Sequence, residues 1–225
     1  MPRSSQFLFA LLLLSLAVGT HSQNSVPGSE NAASVTFTLD FPNSQPEHYS
    51  IRIPSEGPGR YQSSGRLSSD SDTTDNFDFD FTISAETRRR IFALTEKAGH
   101  FQKDLDSHHK NLAFTGKKTL TYQGPGRSGE STYNFSSNAA AQELTALFQN
   151  LSATLEFGHR LDYDRRYQKL ALDEELKRMQ DMAQSNMLIE MGAIQPILER
   201  IIADQSVVNV ARARAQRLLD PPGAR

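Results

Sequence analysis

NFDFDFTISAETRRRIFALTEKAG, residues 76–99, is the stretch whose reading decides the fold. In its first half Phe77, Phe79, Phe81 and Ile83 alternate with Asp78, Asp80 and Thr82. A period of two puts the apolar side chains on one side of a strand and both aspartates on the other, which predicts a sheet with one buried and one wet face. At Ser84 the period changes to that of a helix. Ser84 is placed to cap it, Glu86 stands in the first turn where the helix dipole favours an anion, and Gly99 supplies a left-handed residue to end it. Ile91, Leu94 and Ala98 form the expected inner face, while Arg88, Arg89 and Arg90 cluster near the start.

Upstream, Val35, Phe37 and Leu39, then Tyr49, Ile51 and Ile53, repeat the alternation on either side of a break at Phe41-Pro42-Asn43. A third strand is predicted around Arg60 to Ser63, after Gly57-Pro58-Gly59. Downstream, a loop runs from His100 to Gly116, with Phe101, Leu105 and Phe114 as expected anchors. A hairpin follows: Thr119 to Gln123 and Ser131 to Phe135 flank a turn over Gly124-Pro125-Gly126-Arg127-Ser128-Gly129, whose Gly and Pro supply the required dihedrals. A helix capped by Asn138 buries Leu144, Leu147, Phe148, Leu151 and Leu155. The fold class is therefore α+β: an antiparallel sheet with two packed helices over residues 34–158, followed by an all-helical extension over residues 159–225.

In that extension Leu172, Leu176, Met179, Ala183 and Met187 recur at helical spacing, with Asp173–Lys177 and Glu174–Arg178 as expected surface pairs. Gly192 and Pro196 are expected to break this long helix. A shorter helix turns Ile194, Ile197, Leu198 and Ile201 inward, Asp204-Gln205-Ser206 reverses the chain, and a last helix runs from Val207 to Leu219 until Pro221-Pro222 stops it.

This final pair resembles a single helical hairpin of the HEAT kind: a proline early in the first helix, an aspartate in the turn, then Val210, Ala211, Ala215 and Leu218 in the second. No second copy follows, and a solenoid needs about three or more repeats to bury a continuous core, so the hairpin is read as closing the fold. The strand-rich half resembles, in layout, domains of unknown function in secreted bacterial proteins, through the Tyr-x-Ile-x-Ile strand Tyr49 to Ile53 and the strand-Ser-helix step from Phe81 to Phe101. That resemblance implies no activity.

Arg3, the apolar run Phe7 to Val18 and the small residues ending at Ser22 predict a signal peptide over residues 1–22 and hence a secreted or periplasmic protein. Residues 23–33 are polar and small, and read as a flexible leader. The apolar run is too short to span a bilayer, which needs about 20 residues, and no later stretch approaches that length, so no transmembrane segment is expected in the mature chain. The chain has no cysteine. It must hold together by core packing, without disulfides, thiol catalysis or cysteine-ligated zinc. A net charge of −2, and eleven Lys and Arg against ten Asp and Glu from His159 onward, leave no basic stripe for a nucleic acid.

The candidate chemistry is sparse. Asp70, Asp72, Asp75, Asp78 and Asp80 crowd one segment, yet counted from Asp70 the sixth and twelfth positions are Asp75 and Phe81, where a calcium-binding EF-hand loop needs Gly and Glu. The cluster is read as a solvated face and loop. His100, His108 and His109 lack the spacing of a metalloprotease helix and read as exposed loop residues. Ser128 lacks the G-x-S-x-G elbow, and Lys117 lacks the upstream glycine of a phosphate loop because position 111 is Asn111. Asn134 and Asn150 match glycosylation sequons, which matter only in a eukaryote. No catalytic, cofactor-binding or metal residue is assigned and no cofactor is expected. The sequence reads as an exported binding or scaffolding protein of unknown protein partner, or one that self-associates through its C-terminal helices, where Met179, Met182, Met187 and Met191 offer either an adaptable contact or core filler. A hydrolase with dispersed catalytic residues and a calcium-dependent envelope module are the rival classes.

Overall fold

The structure is a computed structural model that describes residues 32–66 and 74–220. The signal segment, the leader up to residue 31, Asp70, Asp72 and Pro221-Pro222 lie outside the described residues. Six strands, β1 (Ser34–Asp40), β2 (His48–Pro54), β3 (Gly59–Arg66), β4 (Thr74–Phe81), β5 (Lys117–Gly124) and β6 (Arg127–Tyr133), form one antiparallel sheet in the order β4-β3-β2-β1-β5-β6. The register turns the alternation into two faces. Phe79, Tyr61, Ile51, Phe37 and Leu120 lie opposite one another strand by strand and make a nearly continuous apolar row. The next row, Asp78, Gln62, Ser50, Thr38, Thr119 and Thr132, is polar throughout and lies on the other face.

Helices cover the apolar face. α1 (Ala85–Lys97) starts where Ser84 Oγ accepts the Thr87 N–H at 3.2 Å, and Gly99 beyond its end takes a φ of +68°. α2 (Ala139–Tyr167) is capped by Asn138, whose side chain accepts the Ala141 N–H at 3.1 Å. Phe148 of α2 stacks on Phe37 of β1 with ring centroids 5.2 Å apart. α2 runs on through Gly158, the position that separates the two segments in the sequence, so one helix belongs to both. A Cβ at Gly158 would stand 2.5 Å from Ile194 Cγ2; the missing side chain lets the C-terminal region approach the α2 backbone.

That region consists of α3 (Leu172–Gln184), α4 (Gln195–Ala203) and α5 (Asn209–Leu219). Leu172, Leu176 and Met179 are fully buried, with α3 packed against α2 and α5. The strip from 185 to 190 is pinned at two points. Thr154 Oγ1 donates to the Ile189 carbonyl (2.7 Å) and accepts its N–H (3.2 Å), while the Glu190 carboxylate accepts Ser84 N–H (2.8 Å), Ser84 Oγ–H (2.7 Å) and Thr87 Oγ1–H (2.5 Å) at the start of α1. The described residues share one hydrophobic core from Val35 to Ala215.

Several expectations need correction. The apolar stripe of α3 stops short of Met187, which is 48% exposed, because the helix ends at Gln184 and the chain leaves through Asn186 and Glu190 with positive φ. The helix thus breaks before Gly192, and Pro196 lies in the first turn of α4, where its missing N–H leaves no helical bond unmade. Asp173 pairs with Arg214 of α5 (2.6 Å) instead of Lys177, a tertiary neighbour outcompeting a weak exposed helix pair, and Arg178 pairs with the buried Glu175 one turn away in the same helix instead of Glu174. Ile194, Ile197, Leu198 and Ile201 point inward as expected, with Ala211 and Ala215 opposite them, but Val210 is 49% exposed. The β5–β6 turn is two residues, Pro125-Gly126, with Arg127 to Gly129 already in strand. Phe101 and Leu105 anchor the loop before β5, whereas Phe114 is 58% exposed and meets only the edge of Phe41 among the described rings.

Candidate functional site

The second half of α2 departs from the apolar pattern of the first. Ser152, Glu156, Arg160 and Tyr163 follow at steps of four, four and three, with His159 beside Arg160, a spacing that keeps them on neighbouring parts of one helix face. They meet three other elements: β3 through Tyr61 and Ser63, β4 through Asp75, and α3 through Glu175. Between these elements lies a cleft of about 520 Å³, adjoining a second of about 430 Å³; Gln45, Pro46, Glu156, Arg160 and Arg178 line both. The lip is held close to the sheet by Gly65, since a Cβ there would stand 2.9 Å from the Glu47 backbone nitrogen.

Glu156 is the centre of the buried polar network. Its Oε1 accepts the Tyr61 hydroxyl and the Ser63 hydroxyl, both at 2.7 Å. Ser152 Oγ lies 3.0 Å from the Tyr61 oxygen, and because the Tyr61 proton goes to Glu156, the Ser152 hydroxyl is the donor there. Burial, and after it the Glu156 charge, pushes the Tyr61 phenol far above its usual range, which fixes it as a donor. Burial raises Tyr49 in the same way. Glu156 itself is only 9% exposed; among the described residues its Oε2 has no donor and its charge no salt-bridge partner.

Two further pairs flank it. His159 Nε2 stands 2.8 Å from Asp75 Oδ2, and its ring stacks on Phe77 with centroids 4.1 Å apart. Glu175, 5% exposed, takes Arg160 Nε on Oε1 at 2.5 Å and Arg178 Nη2 on Oε2. Burial alone would raise the Glu175 pKa, but the two guanidiniums outweigh it and hold the carboxyl below its usual value. Arg160 also lies over the Phe157 ring, 4.7 Å from its centroid. Asp164, on the cleft wall, is raised by burial and then by the nearby Glu175 charge.

The cleft gathers Ser, His, Asp and Glu, with the Ser63 hydroxyl committed to Glu156, that of Ser152 to Tyr61, and His159 bonded to Asp75. The aspartate cluster divides across the sheet. Asp78 and Asp80 lie on the wet face beside Arg60 (2.5 and 3.8 Å), while Asp75 shares the side of Phe77 and faces His159. Among the described residues no group of three His, Cys, Asp or Glu could hold a metal ion. Among the described residues, none of the other candidates for chemistry lines the cleft. His108 bonds Asp104 at 2.7 Å in an exposed loop, and His100 lies against Tyr122. Ser128 is a β6 residue. Lys117 stands 3.6 Å from Asp40 across the sheet, and its neighbour Lys118 is buried, with its ammonium donating to the Thr115 carbonyl and hydroxyl and to the Gly116 and Asn134 carbonyls, a structural tie. Arg88 donates to the carbonyls of Pro54 and Gly57, and Arg90 to Glu143. Asn134 likewise holds the loop, accepting from Thr115 N–H and donating to the Ala113 carbonyl.

Sequence reasoning missed Glu156 and His159, and took Asp75 only as one of the aspartate cluster. Two of the three carried a signal: Asp75 has the parity of the buried phenylalanines, and Glu156 lies one turn beyond Ser152 where the apolar face of the helix turns polar. No protein-family model matches the chain, and no curated protein matches it in sequence. Among the described residues no helix is long and apolar enough to cross a membrane.

Proposed function

We propose that this chain is an exported binding protein without catalytic chemistry, whose working site is the cleft between β3, β4, α2 and α3. One observation carries the reading: the cleft wall holds a nine-tenths-buried carboxylate, Glu156, oriented by two hydroxyls and left with one oxygen unused by the described residues. Burying a charge costs stability unless something compensates it, and a donor or cation held at that oxygen would do so. The surrounding serines and histidine are engaged in hold-and-orient contacts, which suits recognition better than bond cleavage. The methionine stretch contributes core, since Met179 is buried and Met182 and Met191 pack against the core; this favours the cleft over the C-terminal helices as the contact surface.

The test is a fragment screen by heteronuclear NMR on the folded chain, with cationic, neutral and anionic fragments represented. Hits should perturb Ser63, Glu156 and His159, and should vanish in Ala171→Trp, which fills the cleft from its α3 end. Hits that map to the wet sheet face or to the loop around Phe114 would overturn the reading. Export is checked separately: N-terminal sequencing of the natively produced protein should begin within a few residues of Gln23, and a retained Met1 would end that part of the proposal.

A further inference from the structure

We infer that the ligand of this cleft carries an organic cation, an ammonium or guanidinium group that docks on Glu156 Oε2. The inference rests on the cleft being the binding site. It follows from which charges around the cavity are already matched. Among the described residues the wall carries two guanidiniums, Arg160 and Arg178, both held by Glu175 with Asp164 nearby, and the His159 imidazole, held by Asp75. The carboxylates outnumber them. Glu156 is left without a cation partner among the described residues and lines both cavities, so the described lining holds more carboxylates than cations and Glu156 Oε2 is an acceptor open to the cleft.

The hydroxyl network fixes the polarity of what can bind. Tyr61 and Ser63 donate to Glu156 Oε1 and Ser152 donates to the Tyr61 oxygen, so the protein supplies one carboxylate oxygen with two donors and presents the other as a pure acceptor. A neutral donor would satisfy that oxygen's hydrogen bond but leave the buried charge unbalanced. A cation does both, and a charge-assisted bond is about twice as strong as a neutral one. An anion would meet Glu156 with like charge. An inorganic divalent ion is disfavoured because no three acidic or histidine ligands converge among the described residues. The group that fits is compact, cationic and a hydrogen-bond donor, attached to a body small enough for a cleft of about 520 Å³.

The experiment uses three probes with one skeleton: tyramine, tyrosol and 4-hydroxyphenylacetate, which end in an ammonium, a hydroxyl and a carboxylate. NMR titration of the full folded chain should show tyramine binding at least about tenfold more tightly than tyrosol, with 4-hydroxyphenylacetate weakest. In Glu156→Gln, whose amide oxygen can still accept from Tyr61 and Ser63, tyramine and tyrosol should bind alike. Should that variant fail to fold, wild type alone decides by salt: added sodium chloride should weaken tyramine and leave tyrosol unchanged. Equal or tighter binding of tyrosol or 4-hydroxyphenylacetate, abolished by Ala171→Trp, would overturn the cation inference and leave the cleft reading standing. Shifts that ignore Ala171→Trp would overturn both. No cleft perturbation by tyramine up to about 10 mM, weaker than the ~4 kcal/mol of a millimolar complex, would overturn the inference alone.

Discussion

The two halves of α2 share a helix and a side of the sheet but are built on different terms. From Ala141 to Leu151 the buried face is Ala141, Leu144, Leu147, Phe148 and Leu151, and its contribution is apolar area and ring stacking on Phe37. From Ser152 to Leu161 the helix is buried all round, with Ser152, Thr154 and Glu156 beside Leu155, Phe157 and Leu161. Burying hydroxyls and a carboxylate is unfavourable without partners, and here partners from β3 and from the strip before α4 supply them. The first half holds the fold together. The second half exchanges stability for a polar surface that only a folded chain can present.

The sharpest way to break this contrast is Phe148→Ala. It removes a fully buried ring from the apolar half and should cost about 3–5 kcal/mol. At about 2–4 °C per kcal/mol for a chain of this size, that lowers the melting temperature by about 6–20 °C in thermal unfolding followed by circular dichroism. A loss below about 1 kcal/mol would mean that the apolar half is not the main support of the fold.

Gly158→Val probes the junction. A Cβ there would stand 2.5 Å from Ile194 Cγ2, and Ile194 is 1% exposed, β-branched and unable to swing aside. Overpacking should cost about 1–3 kcal/mol, with little of it recovered by helix propensity. The urea midpoint should fall. An unchanged or higher midpoint would mean that α4 can shift away from α2 freely.

Tyr61→Phe tests the polar half more gently. It removes one of two donors to Glu156 Oε1 and the acceptor of Ser152, for an expected loss of about 1–2 kcal/mol. The smallest effect is on pH dependence. Glu175 has a lowered folded-state pKa, so its stabilising contribution is complete above its ordinary 4.5 and is lost as pH falls through the lower folded value. Asp164 is raised, and its protonation in acid acts the other way, which keeps the net slope shallow. Melting curves of wild type and Glu175→Gln should therefore differ above pH 4.5 and converge in stronger acid; a constant gap across that range would separate Glu175 from the two arginines.

Most of the fold was legible because it rests on period. The alternations at Val35 to Leu39, Tyr49 to Ile53 and Phe77 to Ile83 became strands, and Ser84 and Asn138 became caps, since each is a local rule of backbone geometry. The end of α3 was misread for the opposite reason: nothing local at Ser185 announces that Glu190 will cap another helix more than a hundred residues away. The candidate site was less legible still. Asp75 drew notice only as one aspartate among five, though its parity separates it from Asp78 and Asp80.

What the sequence determined by itself is the α+β class, the alternating faces of the strands and the inward residues of most helices, because side-chain direction follows from two and from 3.6 residues per turn. What only the tertiary structure decided is which polar residues meet. Tyr61 and Glu156 are 95 positions apart, and Asp75 and His159 are 84 apart. Their pairing depends on where a 29-residue helix crosses the sheet, and that is set by the packing of Phe148 and Gly158, which periodicity alone does not encode.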